Sequence, residues 1–332
     1  MSTSATPRTI VVVGASGNQG SGVVRALLNS KATRDMLWLV RGTTRDPNSA
    51  KAKKFLADHQ TTDNRLTLVA GNVYDQASLQ DAFVDAYGVF AITSEYYPGR
   101  LLMNREDMQH EVEAGYNIVL AAEKCGIEHF VFSSLPDMVK TTGGRFPNIH
   151  HMNNKHTIEK FARERLNTLT CLIPGFFYTN LMRPQYCQRR ADGVVRFLTP
   201  IPGGQVMQWT DPTYDMGFFA ASPEKTRGKT YHVLSPPITA DEMARTFTRV
   251  TGQPAIHDPI SAEEFAEFAV PVVGPAFKED AKEMMEWAAV MPADKICYGA
   301  FDTDQNEAMK ILGLKATSFE DWLHRRNWKG PT

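Results

Sequence analysis

The sequence predicts an α/β protein whose core is a doubly wound parallel sheet. Two observations carry this expectation. Short, nearly all-apolar runs alternate with longer amphipathic ones through the first half of the chain, and a glycine-spaced turn follows the first apolar run. That run, Thr9-Ile10-Val11-Val12-Val13, is β-branched and stops at Gly14. From Gly20 to Asn29 the residues Val23, Val24, Ala26, Leu27 and Leu28 suit a helix, so the segment reads as strand, turn, helix.

The pattern recurs. Met36 to Val40, Leu66 to Val69, Val89 to Ile92 and His129 to Ser133 read as buried strands, with helices between them at about Pro47 to His59, Gln76 to Asp85 and Asn104 to Cys125. A helix from about Asn153 to Arg165 and a strand from Thr168 to Ile173, ended by Pro174-Gly175, complete the series. Such sheets bind ligands at the carboxyl ends of their strands. The later chain changes character: Pro200, Pro202, Gly203, Gly204, Pro236 and Pro237 mark loops, and strand signals such as Thr230 to Val233 are scattered. Thr239 followed by Ala240-Asp241-Glu242 is a capping-box start for a helix to Thr251, and Ser261 and Ser318 open two similar patterns. The expected organisation is a nucleotide-binding domain at 1–175 and a smaller, discontinuous C-terminal region at 176–332. The latter is mainly substrate-binding, with about 210–235 returning to the sheet.

Composition narrows the function classes. At 332 residues the chain can bury a sizeable core, and 36 basic against 37 acidic residues exert no broad pull on nucleic acid or anionic membrane. The four cysteines are far apart with no C-x-x-C spacing, which predicts buried reduced thiols. The start, Met1 to Arg8, lacks an apolar signal region, and no run approaches the ~20 apolar residues that cross a bilayer. A cytoplasmic protein with a small-molecule substrate is expected, with a protein partner or homo-oligomer left open. His150, His151 and His156 match no zinc spacing, so no metal is expected.

Gly14-Ala15-Ser16-Gly17-Asn18-Gln19-Gly20 lies between the first strand and its helix. Gly14 permits the tight turn, Gly17 lets the backbone approach a phosphate, and Gly20 lets the helix pack close to the strand. The helix N-terminus offers free N–H groups and a positive dipole end to a pyrophosphate. In this context the turn predicts a Rossmann-type dinucleotide domain. NAD-selective folds place an acid at the end of the second strand, roughly 20 residues beyond the loop. Here Arg41 is expected in that place, and Arg41-Gly42-Thr43-Thr44-Arg45 supplies two guanidinium groups and two hydroxyls for a 2′-phosphate. The expected cofactor is NADP(H).

These residues, with later motifs, resemble the NmrA-like family of atypical short-chain dehydrogenases. The matching stretches are Val13 to Gly20, Val40 to Pro47, Gly71 to Asp75, Ala121 to Gly126 and Ile173 to Asn180, and the resemblance runs from about Thr9 to Trp328. It implies that Asn72 and Val73 lie beside the adenine, although Asp is common in the family where Asn72 stands. It also implies that Thr93, Pro174, Gly175, Phe176 and Phe177 line the nicotinamide half.

Catalytic short-chain dehydrogenases use Tyr-x-x-x-Lys, the Lys holding the nicotinamide ribose and lowering the pKa of the proton-donating Tyr. In His151-Met152-Asn153-Asn154-Lys155 the Lys is kept and His replaces the Tyr, a form seen in some NmrA-like proteins. Two candidate acids follow: His151, with an ordinary pKa of about 6.5, and Lys155, as is thought for the related isoflavone reductases. Lys155 is also the candidate ribose or substrate contact. The superfamily's catalytic Ser falls on Leu135 in a gapless register, with Ser133 and Ser134 just before it. Glu279 to Glu286 reads as a solvated helix face. Met207, Trp209, Met284, Met285 and Trp287 read as core, some of them walling an apolar pocket. Two functions fit: an NADPH-dependent oxidoreductase acting on a carbonyl, imine or activated C=C of an apolar small molecule, or a non-catalytic NADP(H) sensor acting through a protein partner.

Overall fold

A computed structural model describes residues 7–33, 36–303 and 308–331. The N-terminal residues before Pro7, read above as lacking a signal region, lie outside them. Seven strands form one parallel sheet: β1 (Thr9–Val12), β2 (Leu39–Thr44), β3 (Leu66–Ala70), β4 (Gly88–Ala91), β5 (His129–Ser133), β6 (Leu169–Pro174) and β7 (Thr230–Val233). Their spatial order is β7-β6-β5-β4-β1-β2-β3, so the winding reverses between β1 and β4. This is the doubly wound Rossmann arrangement, and ligands bind at such a reversal.

Alternation along the strands feeds two cores. Ile10 and Val12 face α1 (Asn18–Leu28) and α2 (Ala50–His59), packing with Val23, Leu27, Phe55 and Phe90. Val11 and Val13 face the other way, toward α3 (Gln76–Phe83), α4 (His110–Lys124) and α5 (His150–Arg165), packing with Leu79, Phe83, Ile118 and Ile158. Both faces are covered, which is why the strands are apolar throughout.

Three local expectations are corrected. The stretch Met36 to Val40 is not one strand: Met36–Leu37 pairs antiparallel with Lys31–Thr33, and β2 starts at Leu39 and runs on to Thr44. Gly42 sits inside β2 because the Ala15 methyl packs where its side chain would be. Helix α1 begins at Asn18 and α5 at His150, both ahead of the expected starts. Both starts lack a side-chain cap from their own N-cap residue, so the usual signal was missing.

Beyond β6 the chain builds a third core over the carboxyl edge of the sheet. It unites Phe197, Trp209, Phe247, Met285, Phe319 and Trp322. Its elements are α7 (Ala240–Thr251), α8 (Ala262–Glu267), α9 (Lys278–Val290), α10 (Phe319–Arg326) and small sheets, whereas α6 (Gly217–Ala220) packs on α1 in the first core. The capping boxes at Thr239, Ser261 and Ser318 are all formed. β7 adds to the edge of the main sheet beside β6. The four cysteines are free thiols. Among the described residues no helix is long and apolar enough to cross a membrane.

Candidate active site

The carboxyl ends of β4, β5 and β6 border one cavity of about 460 Å³. The glycine loop reaches it through Asn18 and Gln19, while Gly14, Ser16, Gly17 and Gly20 stand back from its lining. Gly14 takes φ +69°, and a side chain on Gly20 would put Cβ 2.2 Å from the Gly14 carbonyl oxygen, so the helix start can lie this close to β1 only with glycine there. Gly17 is the N-cap of α1 and has no side chain to occupy the free N–H groups. Asn18 and Gln19 line the cavity; the Asn18 amide donates to Thr179 Oγ1 at 3.2 Å. Gln19 Oε1 is buried with no partner. An uncapped helix start, a cradle closed to side chains and an orphaned acceptor beside the cavity fit a bound dinucleotide.

At the end of β2 the two arginines part. Arg41 is inside the strand, not at its end, and its guanidinium donates at 2.8 Å to the carbonyls of Ala82 and Val84 at the end of α3. The expectation that Arg41 closes the second strand is therefore corrected; it satisfies helix-end carbonyls instead. Arg45 follows the strand directly and is exposed. Next to it, Ser16, Thr43, Thr44, Ser49 and Lys51 line a small crevice. Asn72 holds its own turn, its Oδ1 accepting the Tyr74 N–H at 3.1 Å, and the Val73 carbonyl accepts from Asn117 Nδ2 at 3.0 Å.

Thr93, Pro174, Gly175, Phe176 and Phe177 all line the cavity. Thr93 Oγ1 donates to Glu111 Oε1 at 2.8 Å, and Lys155 Nζ makes a buried ion pair with the same oxygen. Burial alone would lower the Lys155 pKa, but the charges of Glu111 and Glu95 outweigh it and hold it above the usual lysine range. Gly175 passes so close to the Gln208 carbonyl that a Cβ there would stand 2.3 Å from its oxygen. Phe176 meets Trp209 and Tyr298 at 5.7 and 5.2 Å between ring centroids.

His151 lies on the cavity wall, four residues before Lys155 on α5. It is not a solvated helix-start residue: its Nδ1 is paired with Asp280, whose side chain is fully buried, and its backbone N–H donates to Asp280 Oδ2 at 2.7 Å. Burial works against the imidazolium, yet the Asp280 charge and hydrogen bond win and the pKa is raised. Asp280 and Glu283 overturn the reading of Glu279 to Glu286 as a solvated face. Glu283 takes the backbone N–H and Nδ2 of Asn148, both at 2.6 Å. Glu111, Glu95 and Asp280 were missed from sequence. Asp280 had a signal: Phe277, Ala281, Met284 and Ala288 form an apolar stripe at helical spacing, and Asp280 stands three residues after Phe277 and four before Met284.

Ser133 and Leu135 line the cavity, whereas Ser134 is buried behind it with its Oγ on the Leu135 carbonyl at 3.4 Å. The outer walls are apolar: Tyr96, Tyr186, Phe265, Val273, Phe277 and Met284. Glu95 also faces the cavity; burial would raise its pKa, but Lys155 and His151 hold it below the usual carboxylate range. Among the described residues no cluster is arranged to hold a metal.

A Rossmann sheet with a mainly apolar chamber at its winding reversal, lined on its inner side by Glu95, His151, Lys155 and Arg183, defines the class: an α/β protein of the dinucleotide-fold type with a small-molecule cavity. The chain belongs to the NmrA-like family, which it matches over residues 6–323. It is 26% identical to an NmrA-like family domain-containing oxidoreductase of Malbranchea aurantiaca, covering 96% of each chain. Among solved structures it is similar to NmrA, a negative transcriptional regulator, in complex with NADP (TM-score 0.68, 18% identity, 99% of this chain and 93% of that one). It is equally similar to an NADPH-dependent quinone oxidoreductase of Escherichia coli complexed with NADPH (TM-score 0.68, 18% identity, 96% and 100%).

Proposed function

We propose that this protein is an NADPH-dependent oxidoreductase that reduces a carbonyl, imine or activated C=C of an apolar small molecule. The observation that carries the reading is His151, a proton-bearing ring backed by a buried carboxylate on the wall of an apolar chamber. The bound cofactor supplies hydride. The chain supplies the rest. The free N–H groups of Gly17 to Gly20 take the pyrophosphate, and Arg45, with Thr43 and Thr44 beside it, takes the 2′-phosphate in place of the Arg41–Arg45 pair. Gln19 and the run Pro174 to Phe177 border the nicotinamide end. Asn72 and Val73, at the end of β3, border the adenine.

Two candidate acids are separated by their partners. Lys155 is held charged by Glu111, so it gives up its proton reluctantly and serves better as a fixed positive contact to a ribose hydroxyl. Asp280 holds the His151 pKa above the ordinary imidazole value, so the ring keeps the proton that a general acid gives, and it protonates the oxygen or nitrogen of the acceptor as its carbon gains hydride. The oxidoreductase named among the relatives supports this reading, and so does the quinone oxidoreductase among the structural neighbours. A pure sensor needs neither a walled apolar chamber nor a carboxylate-backed histidine. The test is NADPH oxidation with a panel of aldehydes, ketones, quinones and imines, for wild type and for His151→Gln and Lys155→Met. Turnover that falls at least 100-fold in both variants is expected; a wild-type protein that binds NADPH yet oxidises it with none of them sinks the proposal.

A further inference from the structure

We propose that Asp280 is a positioning residue for the reaction read above, holding the His151 ring with Nδ1 turned to the protein and Nε2 left for the acceptor in the cavity. The inference rests on that reading of His151 and adds a residue from a helix outside the Rossmann half. Asp280 is fully buried, and both of its oxygens serve one residue: Oδ2 takes the backbone N–H of His151 at 2.7 Å and Oδ1 takes Nδ1. An ionised carboxylate only accepts, so Nδ1 carries a hydrogen in either charge state of the ring, and the proton that comes and goes is the one on Nε2. Phe277, three residues before Asp280, places its ring 5.5 Å from the imidazole, tilted at 56°. The ring is thus fixed by two groups of one segment, as a proton donor must be to meet its acceptor in one geometry.

The same helix provides an internal comparison. The N-cap of α5, Ile149, offers no side-chain cap, and Asp280 and Glu283 bring carboxylates to this helix start, where negative charge is favoured. Among the described residues Glu283 takes its hydrogen bonds from Asn148 and none from the His151 ring. It shares the helix-anchoring role alone. The charged groups facing His151 are Asp280 from α9, Lys155 and His150 from its own helix, and Glu95 from the segment after β4.

In the step itself a proton leaves Nε2 for the acceptor oxygen or nitrogen, and the neutral ring regains it from water. Bound NADPH would supply the hydride for the new C–H bond and leave as NADP⁺, so that the C=O or C=N bond would become a single bond.

The experiment compares Asp280→Asn with Glu283→Gln in the full chain, by nitrogen NMR of the imidazole (assigned with His151→Gln), by the pH profile of NADPH oxidation, and by NADPH affinity. For Asp280→Asn the expected result is a kcat lower by about 10²-fold or more. KM and NADPH affinity stay within about threefold, the alkaline limb moves to lower pH, and the ring shows a mixture of tautomers. Glu283→Gln lowers Tm and leaves the pH limb and the tautomer unchanged. An Asp280→Asn protein with the wild-type tautomer and pH limb overturns the proposal. If the ring changes as expected but His151→Gln leaves turnover intact, it is the reading of His151 as donor that fails.

Discussion

Lys155 and Glu111 form a buried ion pair between α5 and α4, and Thr93 donates to the same carboxylate oxygen. A lysine neutralised this way is an anchor. Removing one partner strands the other charge in a buried site, which costs about 3–5 kcal/mol. Lys155→Met is therefore expected to lower unfolding free energy by about that amount, and Lys155→Met with Glu111→Gln to recover more than half of it. Urea denaturation of the four proteins of the cycle measures this. A single variant as stable as wild type contradicts the burial argument.

The two arginines of β2 and its end predict opposite effects. Arg45→Ala should weaken NADPH binding by about 10-fold or more, the loss of a charge-assisted hydrogen bond, and leave NADH binding nearly unchanged. Arg41→Met removes donors from two carbonyls at the end of α3 and should cost about 1–3 kcal/mol of stability with no change in the NADPH to NADH preference. Calorimetric titration with both cofactors separates these outcomes. A preference that collapses in the Arg41 variant instead would return that residue to the phosphate.

Gly20→Ala places a methyl where the Gly14 carbonyl oxygen already stands. The start of α1 must then move off β1, and NADPH affinity is expected to fall by about 100-fold or more, since the helix N–H groups move with it. A titration showing wild-type affinity would disprove this account of the loop.

Asp215 gives a pH dependence of stability. It is nearly fully buried, and burial pushes its carboxyl up to about 6 from an ordinary 3.8, despite hydrogen bonds from Thr317. The folded protein thus holds a proton that the unfolded chain has released. The stabilisation is complete below about pH 4 and is lost as pH rises through 6, amounting to roughly 3 kcal/mol. Relative to Asp215→Asn, wild type should lose stability between pH 4 and 7 in denaturant titrations. A constant difference across that window contradicts the shift.

Local chemistry made much of this legible in the sequence. The β-branched run before Gly14, the three glycines and the capping boxes at Thr239, Ser261 and Ser318 each specify their own geometry within a few residues. His151 and Lys155 could be paired because four residues on a helix share a face. Their partners could not be named so directly. Glu111 lies 44 residues from Lys155 and Asp280 129 residues from His151, and only packing decides which acid meets which base. In α9 charge misled: Lys278 and Lys282 bind Glu263 on the outside, while Asp280 and Glu283 face inward. Arg41 misled because the apolar run stops at Val40, whereas the strand continues to Thr44.

The central claim is that hydride moves in this cavity. NADPH carrying deuterium at the transferable C4 position, incubated with the best acceptor from the panel, tests it by mass spectrometry of the product. One deuterium on the reduced carbon, with transfer lowered by about 100-fold or more in His151→Gln, is the predicted result. Tight NADPH binding with no deuterium in any product would contradict it.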